Sequence, residues 1–319
     1  MKAAVRMLAL LLLAIPTTIL AENYPVKPIR LLVGFTPGGG TDIAARLVAP
    51  KLSAALGQPV VVENRPGAGT NIAIEIVAKA APDGYTLLMG TPPVLINQFL
   101  YKKLPFDSLR DLVGVSLFSV TPNIMVVNSS VSARSVKDFI ALARANPGQH
   151  SFSSSGIGTT QHLSGELFNI RAKVKTVHVP YRGTSPSLTG LISGEVDLSY
   201  CSVPVIMPHI QSGRLRPLAT TGPKRTDLMP DLPTMKESGV DMEMLVWYGV
   251  FAPSGTPRGI IDKLAGLVMK ITNSPEMKKR LLDMGSEPVG STPEQFEKQL
   301  RGEVGQWAEV VKSSGAKAD

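Results

Sequence analysis

The chain has 319 residues, a formal net charge of +8 and a hydrophobic fraction of 44%. Its basic residues are spread thinly and are not interleaved with aromatic residues, so a nucleic-acid partner is excluded and only a mild attraction for small anions is expected. Because Cys201 is the only cysteine, no intrachain disulfide is possible, and its side chain is expected to be a buried apolar group.

The N-terminus has the layout of a secretory signal peptide. Two cations, Lys2 and Arg6, precede an apolar run from Met7 to Ile15, and Ala21 is a small residue suited to cleavage. The run is shorter than the roughly 20 apolar residues of a membrane-spanning helix, and an uncleaved anchor is the alternative. We therefore expect residues 1–21 to be removed and the mature protein to be soluble, outside the cytoplasm and monomeric.

The remaining length and the order of elements predict a two-domain α/β protein. Removing 21 of 319 residues leaves 298, which exceeds the size that a single hydrophobic core usually serves. Short apolar runs alternate with amphipathic segments, a pattern typical of α/β folds. Strands are predicted at residues 29–33, 60–62, 86–89, 124–127, 151–153, 175–179, 196–201 and 215–220, with helices at 41–56, 71–80, 136–145, after 160, and at 186–192. The C-terminal part is predicted to be mostly helical, with helix caps at Thr256, Ser274 and Thr292.

Two glycine-rich loops, Gly38–Thr41 and Gly156–Thr160, each follow a predicted strand and precede a predicted helix. A helix N-terminus offers unpaired N–H groups and a partial positive charge, and glycine lets a ligand approach the backbone closely. Ser154 and Ser155 add hydroxyl donors. One such loop alone would equally fit a tight turn, whereas two loops that face each other across a cleft would hold one anion from both sides.

No pattern in the sequence points to catalysis. The four histidines lack metal-ligand spacing, and the Gly-x-Ser-x-Gly nucleophile motif is absent. We therefore expect no enzymatic activity, no cofactor and no metal site. His162 is expected either to line the cleft or to support it from the helix after the second loop. Asp42 is expected mainly to cap and organise the first loop, and contact with a ligand amine is the alternative.

Separate motifs, in order along the mature chain, resemble the solute-binding proteins of tripartite tricarboxylate transporters, the Bug or TctC-like family. The motifs that carry the resemblance are Tyr24-Pro25, Gly34 to Asp42, Glu63 to Gly69, Ala81 to Leu87, Tyr101 to Asp107, Ser155 to Thr159, His178 to Gly183, Leu232 to Thr234 and Ala252 to Pro257. Thr70-Asn71 stands where the family commonly has glycine and asparagine, and Asn97-Gln98 where Asn-Pro is usual. These departures bear on the identity of the ligand rather than on the fold.

The resemblance implies a type II periplasmic-binding fold, in which two α/β lobes are joined by two crossing segments and the ligand lies in the cleft. Lobe one is expected at residues 22–122 plus 222–319, and lobe two at residues 123–221. In the family, the loops that correspond to Phe35–Asp42 and Ser154–Thr160 form a pincer on a ligand carboxylate.

The predicted ligand-binding residues combine the two loops with weaker candidates for the far end of the ligand. They are Phe35, Pro37, Gly38, Gly39, Gly40, Thr41, Asp42, Thr70, Asn71, Thr91, Ser154, Ser155, Gly156, Gly158, Thr159, Thr160, His162, Tyr181, Arg182, Asp197 and Ser202. For Arg182 and Asp197, a structural ion pair or turn is the alternative.

The resemblance implies capture of a small carboxylate in the periplasm and its delivery to the membrane subunits of a tripartite tricarboxylate transporter. A sensor that presents the carboxylate to a receptor kinase is the second hypothesis. A secreted hydrolase is the third, and no activated nucleophile in the sequence supports it.

Overall fold

The computed structural model describes residues 24–318, so the predicted signal peptide lies outside the described residues. The strands are β1 (Ile29–Val33), β2 (Val60–Asn64), β3 (Thr86–Gly90), β4 (Leu112–Asn128), β5 (Ser151–Ser154), β6 (Val177–Pro180), β7 (Leu198–Ser202), β8 (Leu215–Thr220), β9 (Leu245–Pro253) and β10 (Glu287–Pro288). The α-helices are α1 (Gly40–Leu56), α2 (Asn71–Ala78), α3 (Pro93–Leu100), α4 (Ser108–Asp111), α5 (Val136–Ala145), α6 (Thr160–Ala172), α7 (Thr184–Ser193), α8 (Val203–Gln211), α9 (Arg258–Thr272), α10 (Pro275–Leu282) and α11 (Pro293–Ser314). Within these residues, no helix combines the length and the apolar character needed to cross a membrane.

The strands form one mixed sheet in the order β2-β1-β3-β9-β4-β7-β5-β6, with β8 and β10 also paired to β4. β1 lies parallel to β2 and β3, and β5 lies parallel to β6 and β7. The strands next to β4, namely β7 and β9, are antiparallel to it. Each half of the sheet therefore has its own parallel α/β unit, and ligands of such units bind beyond the carboxyl ends of the strands.

β4 joins the two halves of the sheet. Its first part, Leu112–Pro122, pairs with β9, whereas Asn123–Val127 pairs with β7. With 17 residues it is much longer than an ordinary strand. The chain returns to the first half of the sheet at Leu245, where β9 begins. Just before that point it still lies beside the end of β8, since Met244 N–H donates to the Thr221 carbonyl at 2.8 Å.

The strand that leads into the first glycine loop is buried on both faces. Leu31 and Val33 pack in one hydrophobic cluster with Val48 and Leu52 of α1. Leu32, which points to the other face, packs in a second cluster with residues of α2. The loop after β1 therefore starts from a rigid base.

The C-terminal part is mostly helical as predicted, but one of its predicted caps is wrong. No element was predicted for Leu245–Pro253, which form β9, because its antiparallel pairing with β4 needs partners that lie far away in the sequence. Thr256 is not a helix cap, because Pro257 occupies the cap position of α9 and Thr256 Oγ1 donates to the Pro253 carbonyl at 2.8 Å.

Other local predictions are confirmed. The caps at Ser274 and Thr292 are confirmed, since each side chain accepts a hydrogen bond from its helix. Cys201 is fully buried in β7, as expected for a small apolar side chain.

Candidate functional site

Five helices begin at one cavity between the two halves of the sheet. α1, α3, α6, α7 and α8 start at Gly40, Pro93, Thr160, Thr184 and Val203, and these residues or their immediate neighbours line the cavity. A helix start carries roughly half a unit of positive charge and, as a rule, unpaired backbone N–H groups. The start of α3 supplies the charge but not the donors, because Pro92 and Pro93 have no N–H and Val94 N–H donates to the Thr91 carbonyl at 2.9 Å. The convergence of five helix starts makes this cavity electropositive without any cationic side chain.

We call this cavity the anion chamber, and its wall is built from neutral residues that are mostly small or hydroxylic. They are Phe35, Gly40, Thr41, Thr91, Pro93, Asn123, Ser155, Thr159, Thr160, Gln161, Thr184, Ser202, Val246 and Tyr248. The wall includes eight of the predicted ligand-binding residues, namely Phe35, Gly40, Thr41, Thr91, Ser155, Thr159, Thr160 and Ser202. A small anion that accepts hydrogen bonds fits such a wall.

The first glycine loop is held from behind by a charged network around Asp42. The Asp42 carboxylate, which is 3% exposed, accepts the Gly38 N–H at 3.0 Å. Arg46 Nε and Asn64 Nδ2 each donate to the same carboxylate at 2.9 Å. Burial raises the pKa of Asp42, but these hydrogen bonds outweigh burial and hold the pKa below its usual range. The Asp42 carboxylate is therefore already engaged in hydrogen bonds that hold the loop.

The second glycine loop is held by neutral side chains. Gly158 N–H donates to His162 Nδ1 at 3.2 Å, and Gly156 N–H donates to Ser154 Oγ at 3.2 Å. Ser154 Oγ also lies 2.6 Å from His178 Nε2, and the His162 and His178 rings stack at 4.1 Å between centroids. Burial lowers the pKa of His162 to about 4 and, with the neighbouring ring, that of His178 to about 3. Both rings are thus neutral near pH 7.

His162, Glu166 and His178 bring one ligand atom each within 4.8 Å of one another, which raises the question of a metal site. Because His162 Nδ1 accepts the Gly158 N–H, the proton of the neutral ring sits on Nε2, 3.8 Å from the Glu166 carboxylate. A protonated nitrogen cannot bind a metal, and stacked rings direct their lone pairs side by side rather than to one point. The cluster therefore fits a support for the second loop and not a metal site.

Sequence reasoning missed four polar residues of the anion chamber, namely Asn123, Gln161, Thr184 and Tyr248. Tyr248 is 4% exposed and its hydroxyl lies against Gly40. Burial raises the pKa of Tyr248 to about 12, although a hydrogen bond with Ser202 partly opposes it, so the hydroxyl stays protonated. Tyr248 lies in β9, a segment for which the sequence pattern predicted neither a helix nor a strand.

A second cavity, of about 220 Å³, adjoins the anion chamber and shares Phe35 and Ser155 with it. We call it the distal chamber. It is lined by Gly34, Phe35, Pro66, Gly67, Ala68, Gly69, Thr70, Tyr101, Ser155, Gly156, Ile157, Pro180, Tyr181, Arg182 and Gly183. Four more of the predicted residues, Thr70, Gly156, Tyr181 and Arg182, thus lie along this second cavity.

The other predicted residues do not line either chamber. Asp42, Ser154 and His162 hold the two loops from behind. Pro37, Gly38, Gly39 and Gly158 belong to the loops and face the opposite half of the molecule outside the two chambers. Asn71 Oδ1 accepts from Asn97 Nδ2 at 2.7 Å. Asp197 accepts the Ser151 N–H at 2.8 Å at the start of β5, whereas both chambers lie near the other end of that strand. Its contacts fit the structural alternative.

Comparisons with known proteins point to one family. The family described as the tripartite tricarboxylate transporter family receptor matches residues 44–316. The protein BugT of Bordetella pertussis is 36% identical over 300 residues, which cover 93% of this chain and 92% of BugT. A structure of Rpa4515 from R. palustris with adipate has a TM-score of 0.90 and 37% identity, with 92% of this chain and 99% of that chain covered.

A structure of MatC from Rhodopseudomonas palustris with bound malate has a TM-score of 0.86 and 30% identity. The match covers 90% of this chain and all of MatC. These likenesses confirm the type II periplasmic-binding fold, with two lobes and a cleft between them, that the sequence motifs implied.

Proposed function

Because the chain belongs to the tripartite tricarboxylate transporter receptor family, we propose that it captures a small carboxylate in the periplasm and presents it to the membrane subunits of such a transporter. The family and the fold are those of substrate-binding proteins and not of enzymes. The proposal further takes residues 1–21 as a cleaved signal peptide, and the mature protein as a monomer without a cofactor.

The observation that carries the proposal is the convergence of five helix N-termini on a chamber whose lining residues are all uncharged. A carboxylate gains charge-assisted hydrogen bonds from the backbone N–H groups at these helix starts. Charge-assisted hydrogen bonds are roughly twice as strong as neutral ones. A cation would meet the positive ends of the same helices and would be disfavoured. Asp42, which follows Thr41 of the chamber wall, already has three hydrogen-bond donors around it.

The ligands of two related proteins support the same class of compound. Rpa4515 is described with adipate and MatC with bound malate, and both ligands are carboxylic acids. We assign the ligand carboxylate to the anion chamber and the rest of the ligand to the distal chamber. Residues 22–122 plus 222–319 and residues 123–221 would then close on it as the two lobes.

A thermal-shift panel tests this function. Dicarboxylates, tricarboxylates, aromatic acids and acidic amino acids are each compared with the corresponding carboxamide, which has nearly the same size. At about a hundredfold excess over Kd, binding adds roughly 2.7 kcal/mol of stability, which raises Tm by about 4 °C at this chain length. The acids should stabilise and the amides should not. If sugars or amines shift the melting curve while carboxylates do not, the function is wrong.

A sensor role would use the same chamber, but the protein would present its ligand to a receptor kinase rather than to a transporter. Deleting the gene separates the two roles, because a transport receptor is needed for uptake of the carboxylate and a sensor is needed for the transcriptional response to it. Loss of uptake with an intact response supports transport. Loss of the transcriptional response with intact uptake would contradict the transport role and support the sensor role.

A further inference from the structure

We infer that a cavity behind β9 is a second binding site, for a small organic cation with an apolar body, such as an alkylammonium ion. This cavity, which we call the rear cavity, lies between β9, the residues just before it and the C-terminal helix α11, and its volume is about 190 Å³. One water molecule needs only about 10–15 Å³, so the rear cavity has room for a group of several non-hydrogen atoms. Its position, its charge and the chemistry of its wall carry the inference.

The two faces of β9 serve different cavities. Val246 and Tyr248 line the anion chamber, whereas Leu245 and Trp247 line the rear cavity. Successive side chains of a strand point to opposite faces of a sheet. A ligand in the rear cavity would therefore not compete for space with a carboxylate in the anion chamber, and the inference stands apart from the proposed function.

The C-terminal helix α11 turns one face towards the rear cavity. Its residues on the wall are Gln299, Glu303, Gln306, Trp307 and Val310. Their spacing of i, i+4, i+7, i+8 and i+11 places them on one side of a helix. Among the described residues that line the cavity there is no lysine, arginine or histidine. The wall therefore offers hydrogen-bond acceptors without a competing cation.

Glu303 carries a negative charge that the fold does not neutralise. Its Oε2 atom accepts the indole N–H groups of Trp247 and Trp307 at 2.9 and 3.0 Å, and its Oε1 atom accepts Gln299 Nε2 at 2.8 Å. All three donors are neutral, and within residues 24–318 no cationic side chain forms an ion pair with Glu303. Asp42, by contrast, has the guanidinium of Arg46 beside it. A half-buried carboxylate without a counter-ion favours the approach of a ligand cation.

Glu243 adds a second carboxylate at the rim of the rear cavity. Its side chain is exposed, and in the described part of the chain it has neither a hydrogen bond nor an ion pair. The two glutamates are the charged residues of the wall, although the chain as a whole has a formal net charge of +8. Because two carboxylates of like charge face one cavity without a counter-ion, a cation that enters it is attracted by both.

The rest of the wall favours an organic cation over a bare metal ion. Trp247 and Trp307 are 2% and 4% exposed, so their rings form the floor of the cavity and give it apolar surface. Tryptophan is also the side chain whose ring attracts organic cations most strongly. A hard metal ion such as Ca²⁺ would need about six or more oxygen ligands, whereas the Glu303 carboxylate already accepts three hydrogen bonds.

Tryptophan fluorescence tests the inference directly, because the two tryptophans of the rear cavity are the only ones in the chain. The probes are choline and butylammonium, both as chlorides. Choline is compared with neohexyl alcohol, in which carbon replaces the charged nitrogen, and butylammonium with butanol. The cations should cause a saturable change in emission, and calorimetry should show that each binds at least about tenfold more tightly than its neutral partner. Sodium chloride at the same concentration is the blank and should cause no change.

Two variants test the charge of the wall. Glu243→Gln breaks no hydrogen bond, so Tm should stay the same while affinity for both cations falls about fivefold. Glu309→Gln, on an exposed glutamate of α11 away from the rear cavity, is the matched control and should leave affinity unchanged. Glu303→Gln should weaken cation binding further, and circular dichroism checks that this variant is folded.

Four results would each overturn the inference. Neither cation binds wild type, or the neutral compounds bind as tightly as the cations. Sodium chloride reproduces the change in emission, or Glu243→Gln and Glu309→Gln bind the cations equally well. The carboxylate function is unaffected by any of these results, because the rear cavity and the anion chamber lie on opposite faces of β9.

Discussion

The two glycine loops present the same kind of helix N-terminus to the anion chamber, but they are held by opposite chemistry. Behind the first loop stands a charged network, in which the Asp42 carboxylate is paired with Arg46. Behind the second loop stand two stacked neutral histidines, His162 and His178. Both arrangements fix backbone amides without placing an unpaired negative charge beside the ligand.

This difference shows that loop geometry and loop support are separate properties. A bound carboxylate needs the free amides at the start of α1 and α6, which a charged or a neutral frame can position equally well. The two frames, however, should respond differently to substitution and to pH. The predictions below use those responses, from the largest expected effect to the smallest.

The largest effect is expected from Gly158→Ala in the second loop. Gly158 has a φ of +82°, and a Cβ atom there would overlap Asn97 Oδ1 on the opposite side of the cleft. The loop could not approach the facing lobe, so affinity for the best carboxylate should fall about 100-fold, or roughly 2.7 kcal/mol. Calorimetry measures this loss.

The matched control is Gly213→Ala. Gly213 has a φ of +71° but no atom within 4 Å of its Cβ position, so it suffers the same backbone strain without the overlap. Gly213→Ala should lower Tm and leave affinity unchanged. Equal affinity in the two variants would mean that the second loop is only a turn.

Acidification should loosen the second loop before the first. The unfolded chain protonates its histidines near pH 6.5, whereas burial keeps His162 and His178 neutral in the fold to about pH 4 and 3. Their contribution is therefore complete above pH 6.5 and is lost as pH falls, by about 1 kcal/mol per histidine between pH 6.5 and 5.5. The raised pKa of half-buried Glu166 acts in the opposite sense, since the fold favours its protonated form.

Urea unfolding between about pH 7 and 5 measures this slope. The double variant His162→Gln/His178→Gln should flatten it. The pKa of Asp42 is lowered, so the first loop should lose stability only below the ordinary aspartate pKa of 3.8. An unchanged slope in the double variant would show that the histidine pair does not support the fold.

Asp42→Asn should destabilise the first loop, by less than acidification destabilises the second loop. The amide has nearly the same shape, but its NH₂ group would face the Arg46 donors, so one buried hydrogen bond is lost at a cost of about 1.5 kcal/mol. Both Tm and carboxylate affinity should fall. Asp138→Asn is the control, because this exposed carboxylate accepts the Arg134 N–H at 3.1 Å away from both chambers. If the two variants behave alike, the charged network does not organise the loop.

The sequence was sufficient to predict what depends on local pattern. The strand before each glycine loop, the helix after it and the caps at Ser274 and Thr292 follow from short-range periodicity and side-chain chemistry. The eight predicted residues that line the anion chamber come from such local units. The Gly38 N–H that Asp42 accepts agrees with its interpretation as an organiser of the loop, but its side chain does not cap α1, whose cap position is Gly39.

What the sequence could not show depends on long-range pairing. β9 contributes Tyr248 to the anion chamber only because it pairs with β4. The first part of β4 was not predicted for the same reason, since it also pairs with β9. The course of the segments that cross between the lobes could therefore not be predicted either. Residues just after 222 stay beside β8, which favours a return crossing nearer Leu245 than the predicted boundary at 221–222. That boundary stays a prediction.

The smallest expected effect separates two buried tyrosines. The Tyr248 hydroxyl is in the wall of the anion chamber and is hydrogen-bonded with Ser202. Tyr248→Phe keeps the ring but removes one donor near the first loop, so affinity should fall about fivefold, or roughly 1 kcal/mol. Tyr200→Phe is the matched control, because its hydroxyl is buried without a partner among the described residues. Removing an unsatisfied group should leave affinity unchanged and raise Tm slightly. Comparable affinities for the two variants would show that the Tyr248 hydroxyl does not contact the ligand, and the wall of helix N-termini would then hold the carboxylate unaided.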